Sequence, residues 1–208
     1  MIFASREDAG QRLGRQLKEQ GLKADQVLGL PRGGVVVAAE VARAMQLPLD
    51  VLIVRKIGHP WFREFAVGAM AEGGVVVLDE AAIGRNPVAR AELEAVIQEE
   101  KERLQRYQEA FHRAGPSSLA DKAVLLVDDG LATGATTEAA VLSAKRQKAR
   151  HIIIAAPVAS THAVERLRRV ADDIIVLCAD PDFDAVGHYY ECFSQITDEE
   201  VLELLTAA

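Results

Sequence analysis

An α/β fold built on a doubly wound, mostly parallel sheet is the class this sequence predicts, and three observations carry it. Apolar runs of strand length alternate with segments of helical period along most of the 208 residues. Several of those runs are apolar throughout, the pattern of strands covered on both faces. Hydrophobic residues make up 50% of the chain and charged residues 26%, enough to fill one sizeable core. That composition excludes collagen, low-complexity disorder and a bare coiled coil. One domain is expected at this length: a core over 1–179 with a helical insertion at 80–115, and a tail over 180–208 that forms a small hood rather than an independent domain.

Ser5 and Asp8 resemble a capping box, and Ala9, Leu13 and Leu17 recur at helical spacing until Gly21 stops the helix. Gln26 to Leu30 reads as a strand, Gly34 to Met45 as a helix, and Leu49 to Val54 as a strand rich in β-branched residues. Phe65 to Met70 and Val75 to Leu78 read as a local hairpin turned at Gly73-Gly74. From Val88 to Phe111 a long helix carries Leu93, Val96, Ile97, Leu104, Tyr107 and Phe111 on one stripe. Its charges, Glu99, Glu100, Glu102, Arg103 and Arg106, are expected on a solvated face. Strand and helix then alternate: Ala123 to Val127, Gly134 to Gln147, His151 to Val158, His162 to Val170 and Ile174 to Cys178. The tail breaks this rhythm at Pro181 and Gly187 and closes with a helix opened by Thr197 and Glu200.

A formal net charge of −7 argues against a nucleic-acid footprint. The basic run Lys145, Arg146, Lys148 and Arg150 falls at a helix end, where cations complement the macrodipole. No apolar stretch is long enough to span a membrane, and Met1 to Glu7 places charge where a secretion signal would be apolar, so a cytoplasmic chain is expected. Cys178 and Cys192 suit that compartment and give no metal spacing; the five histidines give no zinc spacing either.

In open α/β sheets ligands bind beyond the carboxyl ends of the strands. At the end of the Ala123 to Val127 strand stand Asp128 and Asp129, two adjacent carboxylates whose repulsion and desolvation need an offsetting partner. Thr133, Gly134 and Thr136 follow in a turn that opens a helix, where free N–H groups and hydroxyls make an anion site. Acids and anion cradle together suit a ribose 5-phosphate. After the first strand, Arg32, Gly33 and Gly34 let a backbone and a guanidinium approach an anion. After the second, Arg55 and Lys56 place adjacent cations on the same side. No Walker or dinucleotide fingerprint is present.

Val124 to Thr137 resembles the phosphoribosyl pyrophosphate (PRPP) motif of the type I phosphoribosyltransferases: four apolar residues, two acids, three variable residues and a Thr-Gly-x-Thr turn. The resemblance implies that family's fold and a magnesium-dependent transferase. It assigns Asp128 and Asp129 to the ribose hydroxyls and the developing oxocarbenium ion. Ala132, Thr133, Gly134, Ala135, Thr136 and Thr137 would take the 5-phosphate; Arg32, Gly33, Gly34, Arg55 and Lys56 the pyrophosphate. His59 to Glu64 occupies the position of the family's mobile loop. Phe183, Val186 and Tyr190 are the tail candidates for contacting a base, and Asp180, with Asp182, for reaching Mg²⁺ on pyrophosphate. Ala132 stands where hypoxanthine-type enzymes carry an aspartate, which leaves the acceptor open. The implied partners are PRPP and a small-molecule acceptor, with homodimerisation a family habit. The leading expectation is phosphoribosyl transfer to a nitrogen nucleophile of the nucleotide-salvage kind. The alternatives are a non-catalytic PRPP or nucleotide-binding regulatory protein and a hydrolytic or phosphorolytic enzyme on the same cradle.

Overall fold

A computed structural model describes residues 1–112 and 115–207. The chain opens with α1 (Arg6–Glu19), β1 (Gln26–Gly29), α2 (Gly33–Met45) and β2 (Leu49–Val51). It continues through β3 (Val54–Gly58), β4 (Ala66–Ala71), β5 (Val75–Leu78), α3 (Glu80–Arg85) and the long α4 (Arg90–Phe111). Then β6 (Ala123–Val127), α5 (Ala135–Arg146), β7 (His151–Ser160), α6 (Thr161–Leu167) and β8 (Asp173–Asp180) alternate. A 3-10 turn at Val186–Tyr189 and α7 (Asp198–Thr206) finish the described chain.

Five strands form a parallel sheet in the order β2-β1-β6-β7-β8. Successive side chains point to opposite faces of a strand, and here neighbours in sequence enter different cores. Val27, Leu125 and Ile153 pack under α1 and α2 against Leu13, Leu17, Val37 and Val41. Leu28, Leu126 and Ile154 pack on the other face against Ala139, Ala140 and Ala163 from α5 and α6. A leucine such as Leu126, fully buried, contributes roughly 1.5–3 kcal/mol to such a core. The doubly wound expectation holds.

The second strand is where the expectation needs correcting. The apolar run to Val54 is divided between two sheets: Leu52 N donates to Gly29 O in the parallel sheet, while Ile53 O accepts from Glu72 N beside β4. The chain thereby crosses into a second, antiparallel sheet of three strands, β3-β4-β5. The expected hairpin is thus three-stranded, and Arg55 and Lys56 lie within β3 rather than in a loop. Strands β7 and β8 also run two residues further than expected, pairing through Ser160 and Asp180.

The apolar stripe of α4 packs on this second sheet: Val96, Leu104 and Phe111 share a cluster with Ile53, Ile57, Met70 and Val201 of α7. Its end is fastened by His112, whose Nε2 lies 3.0 Å from Glu72 Oε2 and whose Nδ1 lies 3.6 Å from Asp50 Oδ1. Asp50 belongs to the parallel sheet and Glu72 follows β4, so one imidazole joins α4 to both sheets. The Thr197/Glu200 capping box is complete. At α1, Ser5 Oγ accepts from Asp8 N as expected, but Asp8 Oδ2 accepts from Ala4 N instead of closing the box on Ser5.

Candidate active site

The carboxyl ends of β1 and β6, the residues of β3 and the middle of α4 surround a cleft of about 1030 Å³. On its sheet side the acid pair follows β6 directly. Asp129 N donates to Asp128 Oδ1 at 2.9 Å, turning that carboxyl back over the chain. Burial, and after it the neighbouring charge of Asp129, holds the Asp128 carboxyl well above the usual carboxylate range, with Lys56 pulling the other way. Asp129 Oδ2 accepts from Arg6 Nε at 2.7 Å. Its backbone carbonyl accepts the Tyr190 hydroxyl at 2.5 Å.

The turn beyond the acids is pinned from outside. Leu131 N donates to Val158 O and Ser160 N to Leu131 O, while Ser160 Oγ donates to Ala132 O at 2.6 Å. Gly134 takes a left-handed conformation, φ 73°, to start α5, a backbone that glycine adopts without penalty. Ala132, Thr133, Gly134, Thr136 and Thr137 line the cleft; Ala135 does not. The Thr137 hydroxyl is buried and has no partner among the described residues. An unpaired buried hydroxyl is costly, and a ligand oxygen would relieve it.

Facing this turn, the Leu30 to Gly34 segment starts α2, and its Pro31–Arg32 peptide is cis. Arg32 and Gly33 line the cleft, whereas Gly34 packs behind it, where a Cβ would meet Asp128 Cα at 2.9 Å. A Cβ on Gly33 would lie 2.0 Å from Asp129 Oδ2. The close approach of this turn to the acids is therefore open to glycine alone. Lys56 and Arg55 reach the same space from β3.

The opposite wall overturns the expectation for Glu99, Glu100 and Arg103 of α4, while Glu102 and Arg106 are exposed as expected. Glu100 is buried and accepts from Arg55 at 2.9 Å and Arg103 at 2.7 Å; Glu99 takes Arg103 and Arg63. These groups line the cleft instead of a solvated face, because the helix lies across β3 with this edge turned toward the acids. The turn His59 to Glu64 contributes Arg63 and Glu64, while Trp61 and Phe62 point outward, 71% and 66% exposed.

Among the tail candidates only Val186 reaches the cleft. Phe183 stacks on Tyr189 at 5.2 Å between centroids, and Tyr190 is buried against Phe3 beneath Asp129. Asp180 lies outside the cleft, its Oδ2 accepting the Tyr189 hydroxyl at 2.7 Å and Oδ1 accepting Asp182 N. Sequence reasoning missed Arg6, Arg63, Glu99, Glu100 and Arg103. Arg6 did carry a signal: a cation at the first position of a helix, beside Glu7 and Asp8, opposes the macrodipole.

Residues 2–192 match the model of the phosphoribosyl transferase domain. The chain belongs to the phosphoribosyl transferase family. A Mycobacterium tuberculosis protein provisionally named a phosphoribosyl transferase is 41% identical over all 208 residues. The chain spans about half the length of that curated relative, 47%. A crystal structure of TT1426 from Thermus thermophilus superposes with a TM-score of 0.81 at 43% identity, over 100% of this chain and 99% of that one. A Neisseria gonorrhoeae protein solved with bound ppGpp shares the fold at a TM-score of 0.53 and 14% identity, over 99% and 96% of the two chains. As in the phosphoribosyl transferase reading of the sequence, the acids and the Thr-Gly-x-Thr turn meet in one cleft.

Proposed function

We propose that this chain transfers the 5-phosphoribosyl group of PRPP to a nitrogen nucleophile, with a nucleobase as the acceptor class, and releases pyrophosphate. The observation that supports it most directly is the shared cleft. Asp128 and Asp129, the unpartnered Thr137 hydroxyl, the Gly33 turn and Lys56 all open onto one space. Such a space suits a ligand with hydroxyls at its centre and phosphates at both ends.

In the reaction the bond from ribose C1 to a pyrophosphate oxygen breaks and a bond from the acceptor nitrogen to C1 forms, with inversion. Positive charge builds on the ribose as the pyrophosphate leaves, and the acid pair is placed to oppose it. Arg32, Lys56 and Arg55 would hold the leaving group, and the Ala132 to Thr137 turn the 5-phosphate, which fixes C1 against the acceptor. Among the described residues no three His, Cys, Asp or Glu side chains gather to hold a metal ion. Mg²⁺ would be carried by the substrate's own oxygens, the coordination this ion prefers. When bound it would neutralise pyrophosphate charge. For the acceptor, Val186 and Phe65 are among the apolar residues that line the cleft. The reading extends to a cytoplasmic place in nucleotide metabolism; no helix among the described residues is long and apolar enough to cross a membrane.

Phosphorus NMR of PRPP and Mg²⁺ with the protein, without acceptor and against a panel of purine and pyrimidine bases, tests the reading. Pyrophosphate release with one base is the expected result. Equal slow release in every tube indicates hydrolysis, and broadened PRPP signals without release indicate a binding protein; either overturns transfer.

A further inference from the structure

Arg6 has no place in the phosphate-binding machinery, yet it is 7% exposed. An always-charged guanidinium is expensive to bury and must be fully partnered. Its partners come from two separate parts of the chain. Nε donates to Asp129 Oδ2 at 2.7 Å after β6, Nη1 donates to the Ser194 carbonyl at 2.8 Å in the tail, and the guanidinium lies 3.9 Å over the Phe193 ring. The fourth neighbour is the Gly33 turn, where a Cβ would stand 2.7 Å from Nε. The guanidinium thus fills the gap between that turn and the acid.

We propose that Arg6 is the positioning residue of the ribose site: it occupies Oδ2 of Asp129 and so presents Oδ1 to a ribose hydroxyl in the cleft. Among the described residues no N–H or hydroxyl donates to Oδ1, Asp129 lines the cleft, and the other group within hydrogen-bond reach of its carboxyl is the Asp128 side chain. The two carboxyls are thereby directed by different means. Asp128 is turned by the backbone of its neighbour, Asp129 by a side chain 123 positions away. Tyr190 steadies the same residue from below through its carbonyl. A lysine at position 6 could supply charge but not the fork that joins Asp129 to Ser194.

This role rests on the proposed PRPP reading, and the test separates the two. Calorimetry would compare ribose 5-phosphate with its 2-deoxy and 3-deoxy analogues, and PRPP with Mg²⁺, on wild type, Arg6→Met and Arg6→Lys, with a thermal melt of each. Wild type is expected to prefer ribose 5-phosphate over at least one deoxy analogue by about tenfold, the size of one hydrogen bond to a charged group. Arg6→Met loses most of that preference while binding the analogue as before, and Arg6→Lys recovers part of it. A role in packing alone would lower the melting temperature and weaken all ligands equally, which overturns the proposal. So does a folded Arg6→Met or Arg6→Lys with wild-type preference, which leaves the PRPP reading intact. A wild type that binds neither PRPP nor ribose 5-phosphate overturns both.

Discussion

The two walls of the cleft are built in opposite ways. The phosphate side is local: β6, the acid pair, the Gly134 turn and the start of α5 follow one another within Ala123 to Thr137, and the Gly33 turn is equally compact. The α4 side is assembled from Arg55, Arg63, Glu99, Glu100 and Arg103, brought together only when a helix settles across the second sheet. The difference separates function from tuning. The first wall has glycines, an unpaired hydroxyl and a buried acid, features that make sense with a ligand present. The second already pairs its three guanidiniums, Arg55, Arg63 and Arg103, with Glu99 and Glu100 within the protein.

Breaking the local wall has the largest expected effect. Gly33→Val puts its Cβ 2.0 Å from Asp129 Oδ2 and must displace both the acid and Arg6. PRPP binding measured by calorimetry is expected to vanish; wild-type affinity would show that the turn does not meet the ligand. Asp128→Asn comes next, lowering turnover by about 10²–10³-fold, the usual scale for a lost electrostatic contact to the transition state. Its effect on stability has the opposite sign. Because the folded carboxyl is held above its ordinary value of 3.8, chiefly by burial, it favours folding while protonated and loses that contribution as pH rises. At neutral pH the amide variant should melt higher than wild type, with a flatter dependence between pH 4 and 7. A parallel collapse of melting temperature and activity would make the acid pair structural.

The same division governs what was legible in the sequence. The Asp128-Asp129 motif and the buried strands could be read because their signals are contiguous. The break at Leu52-Ile53 could not, since both residues are buried and apolar in whichever sheet they serve. Nor could the α4 charges. Glu99 and Glu100 stand on the edge of an amphipathic stripe, and periodicity alone does not tell a solvated edge from one facing a cleft. Phe183 and Tyr190 look like base contacts because aromatic rings have two uses, and here Phe3, Tyr189 and Asp129 claim them.

The assembled wall gives a smaller response. Glu100→Gln removes the carboxylate that holds Arg55 and Arg103, leaving both cations nearer the pyrophosphate and less fixed. Stability is expected to fall by about 1–3 kcal/mol, the cost of unpairing a largely buried charge cluster. The affinity for PRPP is expected to move only a few-fold. A loss as complete as that of Gly33→Val would move Glu100 and Arg103 into the binding machinery beside Arg55 and erase the contrast between the two sides.

The smallest effect on the ligand belongs to His112, which lies away from the cleft and fastens the wall rather than forming it. Burial disfavours its charged form, but the hydrogen bonds and charges of Asp50 and Glu72 outweigh that and raise its pKa from 6.5 to about 9. The sign follows from proton linkage. A folded pKa above the unfolded one contributes stability that is complete below pH 6.5 and is lost as pH rises toward 9. Wild type should therefore melt progressively lower across that interval. His112→Asn should be less stable at pH 6 and lack this part of the slope, with PRPP affinity at neutral pH unchanged. An identical slope in the variant would place the titration elsewhere. A variant that loses PRPP affinity instead would show that the far end of α4 sets the geometry of the cleft.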